Sequence, residues 1–462
     1  MTDPVHVRSL CDLITHTETD TSRPNYILSL NEPGQYDVNL NINLNIQLPD
    51  PIDPIDPVDP VNPVDPAGSF PAMVLPIDTH DKQHYQAATV DNHGQLIAAG
   101  ISSYSKGPLL ARFNAEFSQA EQLRAGDATS AAFTTLCCSD SGHIYAAGNQ
   151  HPSHGYIACF DDQLNLLQQI RLSKMGSNPS AILYHGGYIY LLGSSSPGIY
   201  LLKLTPELNL VDSFTLRPVD YDDRMLSAAM TLSPDNKLYI SAIVAGTKLY
   251  LARLDTELTL EREELFDKIT RLDAFAFSNN GTLYCLGHSH AAPNGFIGQL
   301  DSELTQLAQY PINSTSTVTQ YFSQMVISAD GEFWLTGKQV SSSSTEPAAL
   351  IAQCDADRVV QQSWMLRNHS ADDIRLQATT ISANQPYWVG DLSNPWRAVA
   401  INPRLLTDAP ERWQIQDAPG ISIGTEALLS KTTTFNKAPA WPLPFSLEPG
   451  DKVFERTDIS QG

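Results

Sequence analysis

The stretch PDNKLYISAIVAGTKLYLARLDTELTL, residues 234–260, contains the parts of the unit that decides the fold of this chain. It begins with a turn of Asp and Asn, continues with the strand-like KLYISA, and reaches a second such segment, YLARLD, that runs into the turn TEL. β-branched and aromatic residues are typical of strands, whereas Asp, Asn and Gly are typical of the tight turns between them. The stretch therefore predicts neighbouring strands of one antiparallel sheet.

Six further copies of this unit, before and after it in the chain, have the same order of turn, aromatic strand, loop and third strand. Their second strands include QLIAAG, HIYAAG and EFWLTG, and their third strands include LLARFN, YIACFD and LIAQCD. A more polar fourth strand, such as LEREELFD, closes the unit. The turns of the seven copies are DNHG (91–94), SDSG (139–142), HGG (185–187), PDNK (234–237), NNG (279–281), ADG (329–331) and ANQP (383–386).

Seven units of four strands, repeating every 44 to 54 residues or so, are the signature of a β-propeller. First strands such as SAAMTL (227–232) and DAFAF (273–277) are nearly continuously apolar, which indicates strands covered on both faces. A β-sandwich is the alternative, but sandwiches do not repeat their turns at a fixed spacing. We therefore predict an all-β fold, with a seven-bladed β-propeller over residues 69–421.

Two segments compete to close the ring by completing the last blade. AMVLPID (72–78) offers a strand from the N-terminal side, and ERWQIQD (411–417) offers one from the C-terminal side. We favour the C-terminal segment, because it follows the third strand of its own copy.

The sequence pattern of the repeats also resembles that of a known family. GQLIAAG with ARFNAEF, and KLYISA with ARLDTEL, are similar to bacterial β-propeller repeats often called delta-60-type repeats. The resemblance covers about residues 85–421, and it implies a fold without implying a chemistry. Copies six and seven depart most from this pattern. In copy six Arg358 occupies a turn position that is usually apolar, and in copy seven the turn ANQP lacks glycine.

Residues 1–48 are predicted to form an N-terminal anchor with a β-strand. In YDVNLNINLNIQL the apolar residues alternate with Asn and Gln, so a strand would have one apolar face. Leaving six such side chains in water would forfeit about 10 kcal/mol of burial free energy, so the strand requires a partner. We expect other proteins of an assembly to cover this face, which consists of Val38, Leu40, Ile42, Leu44, Ile46 and Leu48.

Residues 49–68 are predicted to form a polyproline II linker, because proline recurs at every third position from Pro51 to Pro66. The linker is either an inert spacer or a rod that docks by its aliphatic edge. That edge consists of Ile52, Ile55, Val58, Val61 and Val64.

Anchor, stalk and displayed head together resemble the layout of bacteriophage virion appendages, with residues 422–462 as an extended C-terminal tail. The layout implies a structural or adhesive virion protein that is oligomeric in its assembly. Residues 1–66 would bind other virion proteins, and the propeller would bind a cell-surface glycan or receptor. An intracellular scaffold in the cytoplasm is the alternative.

Composition excludes some partners. The 28 basic and 51 acidic residues give a formal net charge of -23, which disfavours nucleic acid. We find neither a signal peptide pattern nor an apolar run of about 18 residues, so no membrane insertion is expected. The six cysteines follow no disulfide or metal-binding spacing, so they are expected to be buried thiols.

Catalytic motifs are absent from the sequence, so we predict a non-enzymatic protein without cofactor or metal. The pairs His151/His154 and His288/His290 could ligate a metal but lack a third ligand. A possible ligand rim for calcium or a sugar consists of acidic and aromatic residues between the blades: Asp220, Tyr221, Asp222, Asp223, Asp372 and Asp373. The alternative function is a hydrolase or lyase that uses Asp222 and Asp372 at an acidic channel mouth.

Overall fold

A computed structural model describes a large part of the chain. The described residues are 72–74, 83–102, 107–114, 117, 119–125, 131–150, 154–175, 178–195, 198–216, 224–289, 295–314, 319–340, 348–368, 374–382, 384–393, 396–403, 413–417, 421–423, 447–449 and 454–460. Two compact units, Met1–Asp65 and Pro66–Gly462, divide the chain, and every described residue belongs to the second. The predicted anchor and linker lie outside the described residues.

The described strands form seven antiparallel sheets. Strand β1 is Ala72–Val74. Blade one contains β2 (Gln83–Val90), β3 (Leu96–Ser102), β4 (Gly107–Phe113) and β5 (Gln119–Ala125). Blade two contains β6 (Ala131–Cys138), β7 (Ile144–Gln150), β8 (His154–Phe160) and β9 (Leu166–Met175). Blade three contains β10 (Asn178–His185), β11 (Tyr188–Ser195), β12 (Gly198–Leu204) and β13 (Leu210–Leu216).

The remaining blades repeat this order. Blade four contains β14 (Met225–Leu232), β15 (Leu238–Val244), β16 (Lys248–Leu254) and β17 (Leu260–Asp267). Blade five contains β18 (Ile269–Phe277), β19 (Leu283–Ser289), β20 (Phe296–Leu300) and β21 (Gln306–Ser314). Blade six contains β22 (Thr319–Ile327), β23 (Phe333–Val340), β24 (Ala348–Cys354) and β25 (Val360–Asn368). Blade seven contains β26 (Ile374–Ser382), β27 (Gln385–Ser393) and β28 (Trp396–Ile401), and four strands follow it: β29 (Trp413–Asp417), β30 (Ile421–Ile423), β31 (Leu447–Pro449) and β32 (Phe454–Ser460).

The seven sheets form a closed ring. The first strand of each blade contacts the first strands of both neighbouring blades, and β26 of blade seven contacts β2 of blade one. Seven clusters of buried apolar side chains lie in the ring, one at each junction between blades. This closed arrangement confirms the predicted all-β, seven-bladed propeller.

Strand β1 closes the ring, so the preference for residues 411–417 is wrong. β1 pairs with β28 as the outermost strand of blade seven, with Met73 opposite Ala400. The C-terminal candidate, β29, pairs instead with β25 of blade six. The length of the connection explains this difference. In blade four the tight turn 255–259 leads from the third strand, β16, directly into the fourth strand, β17. In blade seven the longer segment 402–412, with Pro403 near its start, separates the third strand, β28, from β29.

The C-terminal strands add a fifth strand to four blades. β29 pairs with β25 of blade six, and β30 pairs with β21 of blade five. β31 pairs with β9 of blade two, and β32 pairs with β5 of blade one. These strands therefore lie on the outer wall of the ring, and their order along the chain runs backwards through the blades.

A bulge in the first strand explains the glycine that ends the aromatic strand in blades one, two, six and seven, where an added Cβ atom would lie within 2 Å of a first-strand carbonyl oxygen. In blade two the register shifts between Phe133 and Thr135, which brings the Ala132 carbonyl close to Gly148. A Cβ atom at Gly148 would lie 1.9 Å from that carbonyl oxygen. Blade four has Ala242 instead, and there the register shift is wider, from Ser227 to Met230.

The turn between third and fourth strands places a large residue in the left-handed region. In blade four the Asp255 carboxylate accepts hydrogen bonds from the backbone N–H groups of Glu257 and Thr259, at 3.0 and 2.7 Å. Leu258 then has a φ of 60°, at a cost of about 1 kcal/mol for a residue with a Cβ. Its side chain is buried between the blades, which offsets this cost.

Candidate functional site

The predicted site residues lie outside the part of the chain that the structure describes. This applies to the acidic rim, to the apolar residues of the anchor, and to the aliphatic edge of the linker. Of the two histidine pairs, only His154 and His288 are described, and both lie in strands, β8 and β19, rather than in loops. A different set of residues therefore defines the candidate site.

Equivalent positions of the seven blades reveal this set. The residue that follows the glycine of the second strand, or Ala242 in blade four, pairs with a residue in the first half of the first strand. Blades two to four have pairs without charged or aromatic side chains there, Ala132–Asn149, Asn178–Ser194 and Leu226–Ile243. The other blades have Arg271–His288, Tyr321–Lys338, Arg375–Asp391 and His84–Ile101.

We call the second group, together with Asp273, the polar sector. It consists of side chains from four consecutive blades, five, six, seven and one, at the face of the ring where the first strands begin: Arg271, Asp273, His288, Tyr321, Lys338, Arg375, Asp391 and His84. Folding alone does not require that equivalent positions of a repeat carry charged and aromatic side chains in some blades and lack them in others. The sector is therefore where the ring departs from its own pattern.

The blade five part is built on the bulge of its first strand. Asp273 is the bulged residue between Leu272 and Ala274, and its carboxylate forms an ion pair with the Arg271 guanidinium. The second carboxylate oxygen lies 3.2 Å from Nε2 of His288. The same Nε2 lies 2.8 Å from the carbonyl oxygen of Phe322 in blade six. Because a carbonyl oxygen only accepts hydrogen bonds, Nε2 carries the proton, and His288 connects the two blades.

A second carboxylate–histidine pair joins blades seven and one. Asp391 is 1% exposed, and its Oδ1 atom lies 3.5 Å from Nδ1 of His84. The Gln377 side chain donates a hydrogen bond of 3.4 Å to the same oxygen. The Oδ2 atom of Asp391 is buried and has no hydrogen-bond partner among the described residues. A buried carboxylate oxygen without a donor is energetically unfavourable, which sets Asp391 apart from the other residues of the sector.

Two cations of the sector, Arg271 and Lys338, are exposed, whereas the side chains of its acids are buried. The side chain of Arg271 is 61% exposed, whereas that of its partner Asp273 is 5% exposed. Lys338 is exposed and Arg375 is half-buried. Tyr321, at 36% exposure, adds an aromatic ring whose centroid lies 6.1 Å from that of His288. The described sector thus offers positive charge and an aromatic face on a chain of formal net charge -23.

Cysteines, histidines and acids are the described side chains relevant to metal binding and nucleophilic chemistry. Within the described ranges, no three His, Cys, Asp and Glu side chains come close enough to hold a metal ion. The five described cysteines are unpaired, and four of them are buried. Burial raises the pKa of Cys285 and of Cys354 to about 12, so these thiols stay neutral near pH 7 and are poor nucleophiles.

Sequence reasoning missed the polar sector because its members lie inside strands rather than in loops. Aligning the copies on the glycine of the second strand gives the signal: the following residues are Ile101, Asn149, Ser194, His288, Lys338 and Asp391. Tyr321 belongs to the sector as well, and it lies in β22.

Comparisons with known proteins find similarity only to solved structures. No protein family and no curated protein matches the sequence. Among solved structures, the β-propeller domain of Cps50 (Swd1) from Myceliophteria thermophila is 11% identical, with a TM-score of 0.49 over 71% of this chain and 98% of that one. Identities this low carry no information on function.

Two bacterial structures show a comparable likeness. A 6-phosphogluconolactonase candidate from Bacteroides uniformis is 16% identical, with a TM-score of 0.46 over 71% of this chain and 99% of that chain. Another from Bacteroides fragilis is 14% identical, with a TM-score of 0.44 over 74% of this chain and 100% of that chain.

The described residues contain no helix with the length and apolar character needed to span a lipid bilayer.

Proposed function

We propose that this chain is a non-enzymatic binding protein whose propeller recognises a glycan or protein partner through the polar sector. The observation that supports the proposal is the divergence of equivalent cross-strand pairs, which are charged or aromatic in blades five to seven and apolar in blade four. A scaffold that only had to fold would not need this difference. Bulges and turns that recur from blade to blade give the sector a rigid frame, which lowers the entropic cost of binding.

The exposed cations indicate the chemical class of the partner. Arg271 and Lys338 are exposed, while the side chains of Asp273 and Asp391 are buried, so a partner with carboxylate or sulfate groups meets positive charge first. Tyr321 can stack on the apolar face of a sugar ring. An acidic glycan satisfies both features, and an acidic patch on a protein satisfies the first.

Binding of the full chain to a glycan array, with a parallel capture of protein partners, tests this proposal. The variant Tyr321→Ala should weaken binding about tenfold, because stacking contributes about 1 kcal/mol or more. Leu226→Ala is the matched control, since Leu226 occupies the same register position in blade four and is 58% exposed. Equal weakening by both variants, or the absence of any glycan or protein bound, would contradict the proposal.

We further propose that residues 1–66 attach this propeller to a larger assembly, of which a bacteriophage virion is the favoured example. The support is the sequence alone: an alternating strand that requires a partner, followed by a proline-rich stalk. Replacing Leu40, Ile42 and Leu44 with Asn in the full chain should abolish self-association or association with particles, measured by light scattering and co-sedimentation. A wild-type chain that is a monodisperse monomer, free of particles, would contradict this attachment.

Hydrolysis is the second candidate, favoured by the two carboxylate–histidine pairs. His84 is half-buried beside the buried Asp391, and a histidine oriented by a carboxylate can act as a general base. A panel of lactones and glycosides tests this candidate directly. Turnover that disappears in both His84→Ala and Asp391→Asn would support hydrolysis, and no turnover by the wild-type chain would contradict it.

A further inference from the structure

One histidine of the polar sector lies at the junction between blades five and six. The side chain of His288, on β19, is 10% exposed. Its Nε2 atom donates a hydrogen bond of 2.8 Å to the carbonyl oxygen of Phe322, on the first strand of blade six. Its ring centroid lies 6.1 Å from that of Tyr321, the residue before Phe322. His288 is therefore next to the aromatic ring that is proposed to stack on a sugar.

A hydrogen bond of the same kind joins blades two and three without a titratable group. The Thr134 hydroxyl of blade two donates a hydrogen bond of 3.0 Å to the carbonyl oxygen of Pro179 in blade three. Pro179 and Phe322 occupy the same register position, directly before the bulge of their first strands. A hydroxyl thus suffices to connect two blades, so the imidazole of His288 supplies something beyond this contact.

The surroundings of His288 are charged on one side and tightly packed on the other. Toward β20 its ring lies close to Gly295, where an added Cβ atom would be 3.4 Å from Cε1 of the ring. The charged and titratable side chains around it come from three neighbouring strands: Arg271 and Asp273 from β18, Tyr321 from β22, and Lys338, the cross-strand partner of Tyr321, from β23. Two cations and one acid leave a net positive charge here when His288 is neutral, and protonation of its ring adds a further unit.

Asp273 allows this buried imidazole to carry a charge. One oxygen of its carboxylate forms an ion pair with Arg271. The other oxygen, Oδ2, is buried, accepts no hydrogen bond from the described residues, and lies 3.2 Å from Nε2 of His288. A buried carboxylate oxygen is stabilised by a nearby positive charge, and this attraction offsets the cost of burying an imidazolium.

We propose that His288 is the residue that makes recognition of an acidic partner by the polar sector depend on pH. This inference rests on the proposed function of the sector. Histidine ordinarily changes its charge between about pH 5 and 8, whereas carboxyl, phenol, lysine and arginine groups ordinarily do not. Protonation at the second ring nitrogen, Nδ1, keeps the hydrogen bond to Phe322 and adds positive charge beside Arg271 and Lys338. An acidic partner is therefore bound more tightly at about pH 5.5 than at about pH 8.

Binding of a chondroitin sulfate oligosaccharide to the full chain at about pH 5.5 and about pH 8 tests the proposal. The carboxylates and sulfates of this probe remain ionised over the range, so its own charge is constant. One unit charge about 7 Å from an anion changes affinity about threefold even with the screening of water. The wild type should accordingly bind the probe at least about threefold more tightly at the lower pH.

His288→Gln is the decisive variant, because the glutamine amide can still donate to the Phe322 carbonyl but cannot titrate. It should bind the probe equally at both pH values, with an affinity close to that of the wild type at the higher pH. His185→Gln, at the end of β10 in blade three, is the matched control and should keep the full pH dependence. A pH dependence that persists in His288→Gln, or that is lost in His84→Gln instead, would overturn the proposal.

NMR of the histidine side chains of the ligand-free chain separates this proposal from the proposed function. The His288 resonance, identified by its loss in His288→Gln, should titrate between about pH 5 and 8, and the probe should shift its midpoint upward. A resonance that does not titrate in this range would overturn the proposal even if the sector binds the probe. A resonance that titrates while the probe binds at neither pH would contradict the proposed function, and the proposal with it.

Discussion

The guanidinium of Arg358, in the turn between the third and fourth strands of blade six, lies 4.1 Å from the ring centroid of Tyr310 in blade five. It also donates a hydrogen bond of 3.3 Å to the hydroxyl of Tyr284. Arg358 has a φ of 65° and occupies the position that Leu258 fills in blade four. The apolar contact between blades is thus replaced by a cation–π contact, with the backbone conformation unchanged.

Arg358→Ala should lower the free energy of unfolding by about 1 to 2 kcal/mol, because it removes this contact while keeping a strained left-handed residue. Arg358→Gly is the informative comparison, since it removes the same contact but relieves the backbone. Thermal melting of both variants checks the prediction. A glycine variant less stable than the alanine variant would contradict the role of the left-handed backbone.

Gly148→Ala should be severely destabilising. Its Cβ would lie 1.9 Å from the Ala132 carbonyl oxygen, so the bulge of blade two would have to rearrange, at a cost of about 3 kcal/mol or more. Gly187→Ala is the control: it has a φ of 81° and open space around its Cβ position, so it should cost only about 1 kcal/mol. Comparable losses in chemical denaturation would contradict the steric explanation.

Ser241→Ala should destabilise the wider bulge of blade four. The Ser241 hydroxyl accepts a hydrogen bond of 2.9 Å from the N–H of Ala229 and donates one of 3.2 Å to its carbonyl oxygen. Losing both would leave two backbone groups without these partners, at a cost of about 1 to 3 kcal/mol. Ser213→Ala, at an exposed position of blade three, should be nearly neutral. Equal melting temperatures for wild type and Ser241→Ala would refute this role.

Stability should fall as the pH rises above 9. Burial raises the pKa of Cys138, Cys285 and Cys354 from the ordinary value of 9.0 to about 12. Between these values the thiols ionise in the unfolded chain but not in the folded one, so deprotonation favours unfolding. Melting temperatures at pH 7.5 and 10.5 test this. Replacing the three cysteines with Ala should reduce the pH dependence, and an unchanged pH dependence in that variant would contradict the assignment.

The repeated turns made the fold predictable from the sequence, because each copy carries its own local signals. A carboxylate such as Asp255 caps its turn, and a glycine such as Gly142, with a φ of 85°, allows the turn between first and second strands. Where the glycine is missing in ANQP, Asn384 takes the left-handed conformation, with a φ of 65°. Asn adopts this conformation more readily than most residues, so the departure from the pattern was tolerable.

The strand that closes the ring and the residues of the polar sector could not be predicted in the same way, because both depend on contacts between distant parts of the chain. The pairing of Met73 with Ala400 joins residues far apart in the sequence, and no local signal distinguishes it from a strand at 411–417. Asp391 was hidden because it lies in a strand that looks like its counterparts in other blades, and the sequence predicted His288 only as part of a loop pair with His290. Only the alignment of the copies on their bulges exposes such residues.

The most direct test of the account is the affinity of the full chain for an acidic glycan and its neutral counterpart, measured for the wild type and for Lys338→Glu. We predict that the wild type binds the acidic form at least about tenfold more tightly, and that reversing the charge of Lys338 removes this preference without changing the melting temperature. Preference for the neutral glycan, or an acidic preference that survives in Lys338→Glu, would contradict the claim that the polar sector is the binding surface.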